Sequence, residues 1–121
     1  MPEIFESWED EGVRYLVVLV TTKSKDEALS IAEVIVSEKL AACANVIEPV
    51  VSIYTWKGKV ERSAEALMII KTHSESFPSL VGRIKELHSY DVPEIVALPI
   101  LSGNPAYLKW IDEVTGGYLI E

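Results

Sequence analysis

The sequence predicts an α+β domain in which four strands and two helices run β-α-β-β-α-β and a third helix follows. Three observations carry this reading. Ser24-Lys25-Asp26-Glu27 stands ahead of an apolar stripe at helical spacing, two long segments meet at Lys57-Gly58, and Val92-Pro93 separates a second helical stretch from a short run of Ile, Val and Leu.

Residues 14–22 are nearly continuous Leu and Val with a β-branched end, the composition of a strand covered on both faces or held centrally in a sheet. The S-x-x-E box that follows satisfies free backbone donors at a helix start. Ala28, Leu29, Ile31, Ala32, Ile35, Val36 and Leu40 then form the stripe expected to pack on the sheet, while Glu33, Ser37, Glu38 and Lys39 fall towards the other side. Residues 44–56 and 59–72 form a hairpin about Lys57-Gly58, where glycine turns without steric cost. Pro49 cannot donate to a ladder and marks a bulge or an edge position.

Ser74 and Ser76 are both possible caps for the second helix, which carries Phe77, Leu80, Val81, Ile84 and Leu87 on one face and ends near His88. Val92-Pro93 imposes extended backbone before a fourth strand at 94–100. Asn104-Pro105 caps and opens the third helix, with Tyr107, Leu108, Ile111 and Val114 as its expected buried face and Gly116-Gly117 as its stop. This order is the ferredoxin-like arrangement, an antiparallel sheet with helices on one face plus a C-terminal helix. Residues 13–121 make one such domain; residues 1–12, with five carboxylates, Phe5 and Trp8, read as an acidic extension.

Strands of a dozen residues reach roughly 40 Å, whereas a fifteen-residue helix covers about 22 Å, so the hairpin outruns its helical cover. Its protruding part keeps Val51, Ile53, Tyr54, Trp56, Leu67 and Met68 near it, an apolar ribbon that something must cover. Either the segments bend at Pro49 and Ala64 and cover themselves, or further copies of the chain do so in a closed ring. Length alone does not fix the number of copies.

Nineteen acidic against eleven basic residues give a net charge of -8, which repels phosphate backbones and anionic lipid and argues against nucleic acid or a membrane surface as partner. The longest apolar runs fall far short of the ~20 residues that cross a bilayer. The N-terminal stretch is acidic where a secretory signal would be basic and then apolar, so the expected location is cytoplasmic. The single cysteine, Cys43, excludes an intrachain disulfide and any cysteine-pair metal motif within one subunit. Catalytic signatures such as a Walker loop, a dinucleotide glycine pattern or H-E-x-x-H are absent from the sequence, and nothing nominates a reaction.

From Arg14 to Val114 the order and spacing of several segments resemble the CutA family. They are Glu38-Lys39-Leu40-Ala41-Ala42-Cys43-Ala44-Asn45, Ile53-Tyr54-Thr55-Trp56-Lys57-Gly58-Lys59, Ile69-Ile70-Lys71-Thr72, and His88-Ser89-Tyr90-Asp91-Val92-Pro93-Glu94 with Ala97-Leu98-Pro99-Ile100, Gly103-Asn104 and Tyr107-Leu108-Lys109-Trp110. The resemblance implies a non-enzymatic homotrimer of ferredoxin-like subunits joined through the long hairpin, similar in architecture to the PII signalling proteins and linked to tolerance of divalent metals, notably copper. Two positions depart from the family. Ser89 stands where many members have proline, and Val20 stands where some have a second cysteine, so a two-thiolate copper site cannot form.

Soft thiolate and borderline imidazole ligands suit copper, which makes Cys43 with His88 the pair for a metal site near a subunit boundary. The competing reading of Cys43 is a small buried hydrophobe. His73 reads as a solvated residue at a strand end. Asp91 and Glu94 offer hard oxygen ligands or an acid and a base, against the ordinary role of capping turns. The resemblance places Lys71, Tyr90, Asp91, Glu94 and Trp56 around a groove between subunits, where a PII-like module would hold a small ligand. Trp56 and Trp110 otherwise serve as packing anchors.

Overall fold

The structure is a computed structural model that describes residues 12–116. In β1 (Tyr15–Thr22) the even-numbered side chains Leu16, Val18, Val20 and Thr22 are fully buried and the odd-numbered ones half-buried. The reason is position: β1 lies inside a four-stranded antiparallel sheet of order β2-β3-β1-β4, where β2 is Cys43–Trp56, β3 Lys59–His73 and β4 Ile95–Pro99. Central placement between β3 and β4 accounts for its hydrophobicity.

Two helices cover the even-numbered face. In α1 (Lys25–Ser37), Ser24 Oγ accepts from the Glu27 N–H (3.1 Å). Glu27 returns a carboxylate oxygen to the Lys23 N–H (3.2 Å), one residue earlier than an ideal capping box would use. Ala28, Ile31, Ala32 and Ile35 meet Leu16, Val18, Val20, Met68 and Ile70 in the core. Leu29 and Val36, expected on the same stripe, are exposed because they lie on its outer flanks. In α2 (Phe77–Leu87), Phe77, Leu80, Val81 and Ile84 complete the core. Full burial of each such side chain stabilises the fold by about 1.5–3 kcal/mol.

Capping before α2 differs from expectation. A 3-10 turn at Ser74–Ser76 precedes the helix, and its cap is the His73 ring, whose Nδ1 accepts from the Glu75 N–H (3.0 Å). Ser76 precedes α2 without capping it through its side chain. Imidazole does here what a serine hydroxyl was expected to do.

α3 (Pro105–Val114) crosses to the other face of the sheet, capped by Asn104 Oδ1 on the Ala106 N–H (3.0 Å). Its buried residues are Ile111 and Asp112, followed by Thr115, whereas Tyr107 is exposed and Leu108 and Val114 are half-buried. The helix is thus rotated from the expected face, because Asp112 has partners on β1 and β3. Gly116 takes a positive φ of 113° just after the C-cap Thr115. Gly117, the tail at 118–121 and the Phe5 and Trp8 of the acidic extension lie outside the described residues.

β3 pairs with β1 only from Ala66 to His73. Beyond that point Val50 to Trp56 pairs with Lys59 to Glu65 alone, and this two-stranded arm projects about 23 Å at ~3.3 Å per residue. Lys57 and Gly58 close it with positive φ values of 52° and 80°, the pattern of the tight turns that match strand twist. The register shifts between Ile47 and Val50, so Pro49 sits at an irregularity on an edge strand, meeting both expectations for it. Val51, Ile53, Trp56 and Val60 are exposed by 61%, 63%, 59% and 76%, so the arm does not fold back to cover them. Met68, placed near this ribbon on sequence grounds, belongs instead to the core, and Leu67 is half-buried.

Candidate functional site

A cleft of about 730 Å³ opens where the arm leaves the sheet. Strand alternation puts Thr21, Ser52, Tyr54, Trp56 and Glu65 on its sheet side, and the loop between α2 and β4 supplies Tyr90, Asp91, Val92 and Glu94 opposite them. Four of the five residues expected around a groove, Trp56, Tyr90, Asp91 and Glu94, are therefore brought together. The fifth, Lys71, is not among the lining residues. It pairs with Cys43 across the β2–β3 ladder and donates its ammonium to Asn45 Oδ1.

Glu65 organises the cleft. One carboxylate oxygen accepts from the Ser52 hydroxyl (2.6 Å) and the other from the Tyr90 hydroxyl (2.7 Å), tying the arm to the loop. Burial, this hydrogen bond and the nearby Glu65 and Glu27 charges push the Tyr90 pKa well up, so its hydroxyl stays a donor. Glu94 takes only a long contact from the Thr21 hydroxyl (3.5 Å), and Asp91 is exposed.

His88 holds the loop from behind. Its Nδ1 accepts from the Tyr90 N–H (3.1 Å), so Nε2 carries the proton and donates to the Thr21 carbonyl (2.7 Å). The His88 and Tyr90 rings lie 4.8 Å apart, centroid to centroid. Ser89, where the resemblance led one to expect proline, has a bond of its own. Its N–H donates to Glu27 Oε2 at 2.7 Å, a bond that proline could not make. Burial alone would raise the Glu27 pKa, but the Ser89 and Lys23 donors and the neighbouring His88 outweigh it and hold the carboxyl below its usual range.

Cys43 lies elsewhere. It is half-buried beside Tyr107, with Sγ and the phenol oxygen 3.6 Å apart, and the hydrogen bond with Cys43 together with burial raises the Tyr107 pKa. Cys43 opposes Lys71 and, through it, Val17, whereas His88 is bonded to Thr21. Four residues of strand, roughly 13 Å, separate those two points. Within one chain Cys43 and His88 therefore do not fit a metal ion: they are apart, and both ring nitrogens of His88 are engaged. Among the described residues no group of three or more His, Cys, Asp or Glu is placed to hold a metal. Val20 points into the helix-covered core, away from the face that carries Cys43.

A second polar cluster escaped the sequence reading. His73 is buried, not solvated, with Nε2 at 3.3 Å from Oδ1 of the fully buried Asp112, whose Oδ2 accepts from the Tyr15 hydroxyl (2.7 Å). Burial, opposed by Asp112 and reinforced by the Arg14 charge, lowers the His73 pKa; burial and Asp112 raise that of Tyr15. The signal was present, since Leu108, Ile111, Asp112 and Thr115 recur at helical spacing and put a carboxylate on a buried stripe. Glu65 was legible in the same way, sharing a strand face with Leu67 and Ile69.

Comparison with known proteins agrees with this architecture. Residues 16–114 match the profile of the CutA1 divalent ion tolerance protein family. The chain belongs to this family. It is 50% identical over 100 residues to the divalent-cation tolerance protein CutA of Thermus thermophilus, covering 83% of this chain and 97% of that protein. It is 46% identical over 96 residues to protein CutA of Mus musculus, covering 79% of this chain but only 54% of the mouse protein, so it spans about half that relative's length. The solved structure of the Thermus thermophilus divalent cation tolerance protein superposes with a TM-score of 0.83 at 49% identity, covering 84% of this chain and 99% of that one. The names of both Thermus thermophilus matches denote divalent-cation tolerance.

Proposed function

We propose that the protein is a non-enzymatic homotrimer that supports tolerance of divalent metal ions, copper among them, in the cytoplasm. The observation that carries this reading is the arm. Val51, Ile53 and Val60 are exposed on a two-stranded ribbon that nothing else among the described residues covers. The sheet face away from α1 and α2 adds Val96 and Leu98, both exposed, beside half-buried Val17, Leu19, Leu67 and Ile69. Three copies close such surfaces into a ring without leaving an edge to polymerise. The family membership supports the link to metal. Cys43 and His88 do not meet within one chain, so a copper site that used either would lie where chains meet.

Light scattering at micromolar concentration tests the assembly, with a stable monomer counting against it. Titration of Cu(I) and Cu(II) into wild type and Cys43→Ser tests the metal; unchanged binding in the variant removes Cys43 from the site.

The cleft supports a second reading, a PII-like module with a small ligand in an intersubunit groove. Trp56, Tyr90, Asp91 and Glu94 converge there, with a volume in the ~300–1,000 Å³ range of small-molecule sites. A ligand that raises the melting temperature in proportion to the logarithm of its concentration is the expected signature.

A further inference from the structure

We propose that the cleft at the root of the arm takes a small organic cation, an aliphatic amine or guanidine, with its charge at Asp91 and Glu94 and its body against Tyr54, Trp56 and Tyr90. This rests on the reading of the cleft as a ligand site and names the class of ligand.

The ionisable side chains of the lining, tyrosines aside, are Glu65, Asp91 and Glu94, and among the described lining residues there is no Lys, Arg or His. Within one chain a nucleotide or organic polyanion meets three carboxylates and, at the edge alone, the Lys57 ammonium, an arrangement that selects against it. The three acids have different tasks. Glu65 has both oxygens committed to Ser52 and Tyr90, so it builds the wall. Glu94 holds only its long contact with Thr21, and Asp91 is exposed, which leaves these two to meet a ligand.

A bare divalent ion suits the cleft poorly. Among the described residues no three His, Cys, Asp or Glu converge to hold one, and Glu65 has both carboxylate oxygens committed to Ser52 and Tyr90. The aromatic walls do match an alkylammonium or guanidinium, which is attracted to a ring face and packs its carbon chain on it. The structure contains one instance of this mode at the cleft edge, where Lys57 Nζ lies 5.6 Å from the centroid of the Trp56 ring. The Tyr90 ring is fixed in advance by its hydroxyl bond to Glu65 and its contact with His88. Preorganised walls lower the ordering cost of binding.

The test is calorimetric titration of the full chain at low ionic strength with agmatine and choline as cations and ATP and citrate as anions. Agmatine is expected to bind saturably, ATP and citrate not to bind, and added salt to weaken agmatine. The double variant Asp91→Asn, Glu94→Gln should weaken agmatine about tenfold or more, and Trp56→Leu several-fold. All three positions are exposed within one chain, so each variant is expected to fold, with light scattering reading whether its assembly matches that of wild type. Absence of agmatine binding, unchanged binding in the double variant, or binding of ATP or citrate in its place overturns the proposal. Light scattering on the same samples reads the trimer separately: a monomer that still binds agmatine upholds the cation site and removes the intersubunit groove, and a trimer that ignores agmatine overturns the cation site while leaving the assembly standing.

Discussion

From Ala66 to His73, β3 is flanked by β1 and β2 and its even-numbered side chains are buried under two helices; from Lys59 to Glu65 it pairs with β2 alone and is mostly exposed. Backbone pairing is continuous through both halves, so hydrogen bonding does not distinguish them. The difference lies in what stands on the faces. A strand is fixed by its ladder, whereas its contribution to stability depends on the apolar area it removes from water. The arm is therefore a place where sequence spent on branched and aromatic residues returns little within one chain, and it makes sense as a surface for contacts beyond it.

Truncation is the most direct way to break this comparison. Ile70→Ala, in the covered half, should cost about 2–5 kcal/mol in urea unfolding, while Ile53→Ala, in the arm, should stay within ~0.5 kcal/mol for an isolated subunit. A large loss for Ile53→Ala that grows with protein concentration would show the arm to be covered by other copies. An equal loss at all concentrations would mean that the chain covers its own arm.

Asp112→Ala tests the buried half from its far end. It leaves the Tyr15 hydroxyl and the His73 ring without the carboxylate that both face, at an expected cost of about 1–3 kcal/mol in thermal unfolding. Ser89→Pro tests how the arm's cleft is anchored: losing the charge-assisted bond to Glu27, less the entropy gained from proline, should cost about 1–2 kcal/mol. A neutral or stabilising result would mean that Glu27 finds another donor.

The smallest effect is in pH. The His73 pKa is lowered in the folded state from its ordinary 6.5, so the unfolded chain binds that proton more readily. Its contribution is complete above 6.5 and is lost as pH falls below that value towards the depressed one. Glu27 behaves in the same sense further down, its contribution being present above 4.5 and lost as pH falls through its lowered pKa. Calorimetric melting temperatures for wild type and His73→Asn should converge as pH falls through the first window. Parallel curves would remove His73 as the cause.

Residue patterns alone determined the order of elements, the caps at Ser24 and Asn104, the turn at Lys57-Gly58 and the break at Pro49, because each depends on a few neighbouring residues and on backbone chemistry that acts locally. They also brought Trp56, Tyr90, Asp91 and Glu94 into one set through the resemblance to a family. Tertiary structure decided the rest. Within one chain it left Lys71 off the cleft lining and Cys43 apart from His88, buried His73 against Asp112 and turned Glu65 from one acid among nineteen into the link between arm and loop. Those outcomes depend on which strand lies next to which and on the rotation of α3 over the sheet. Such distances between residues far apart in the chain are set by packing and polar satisfaction, and no local period encodes them.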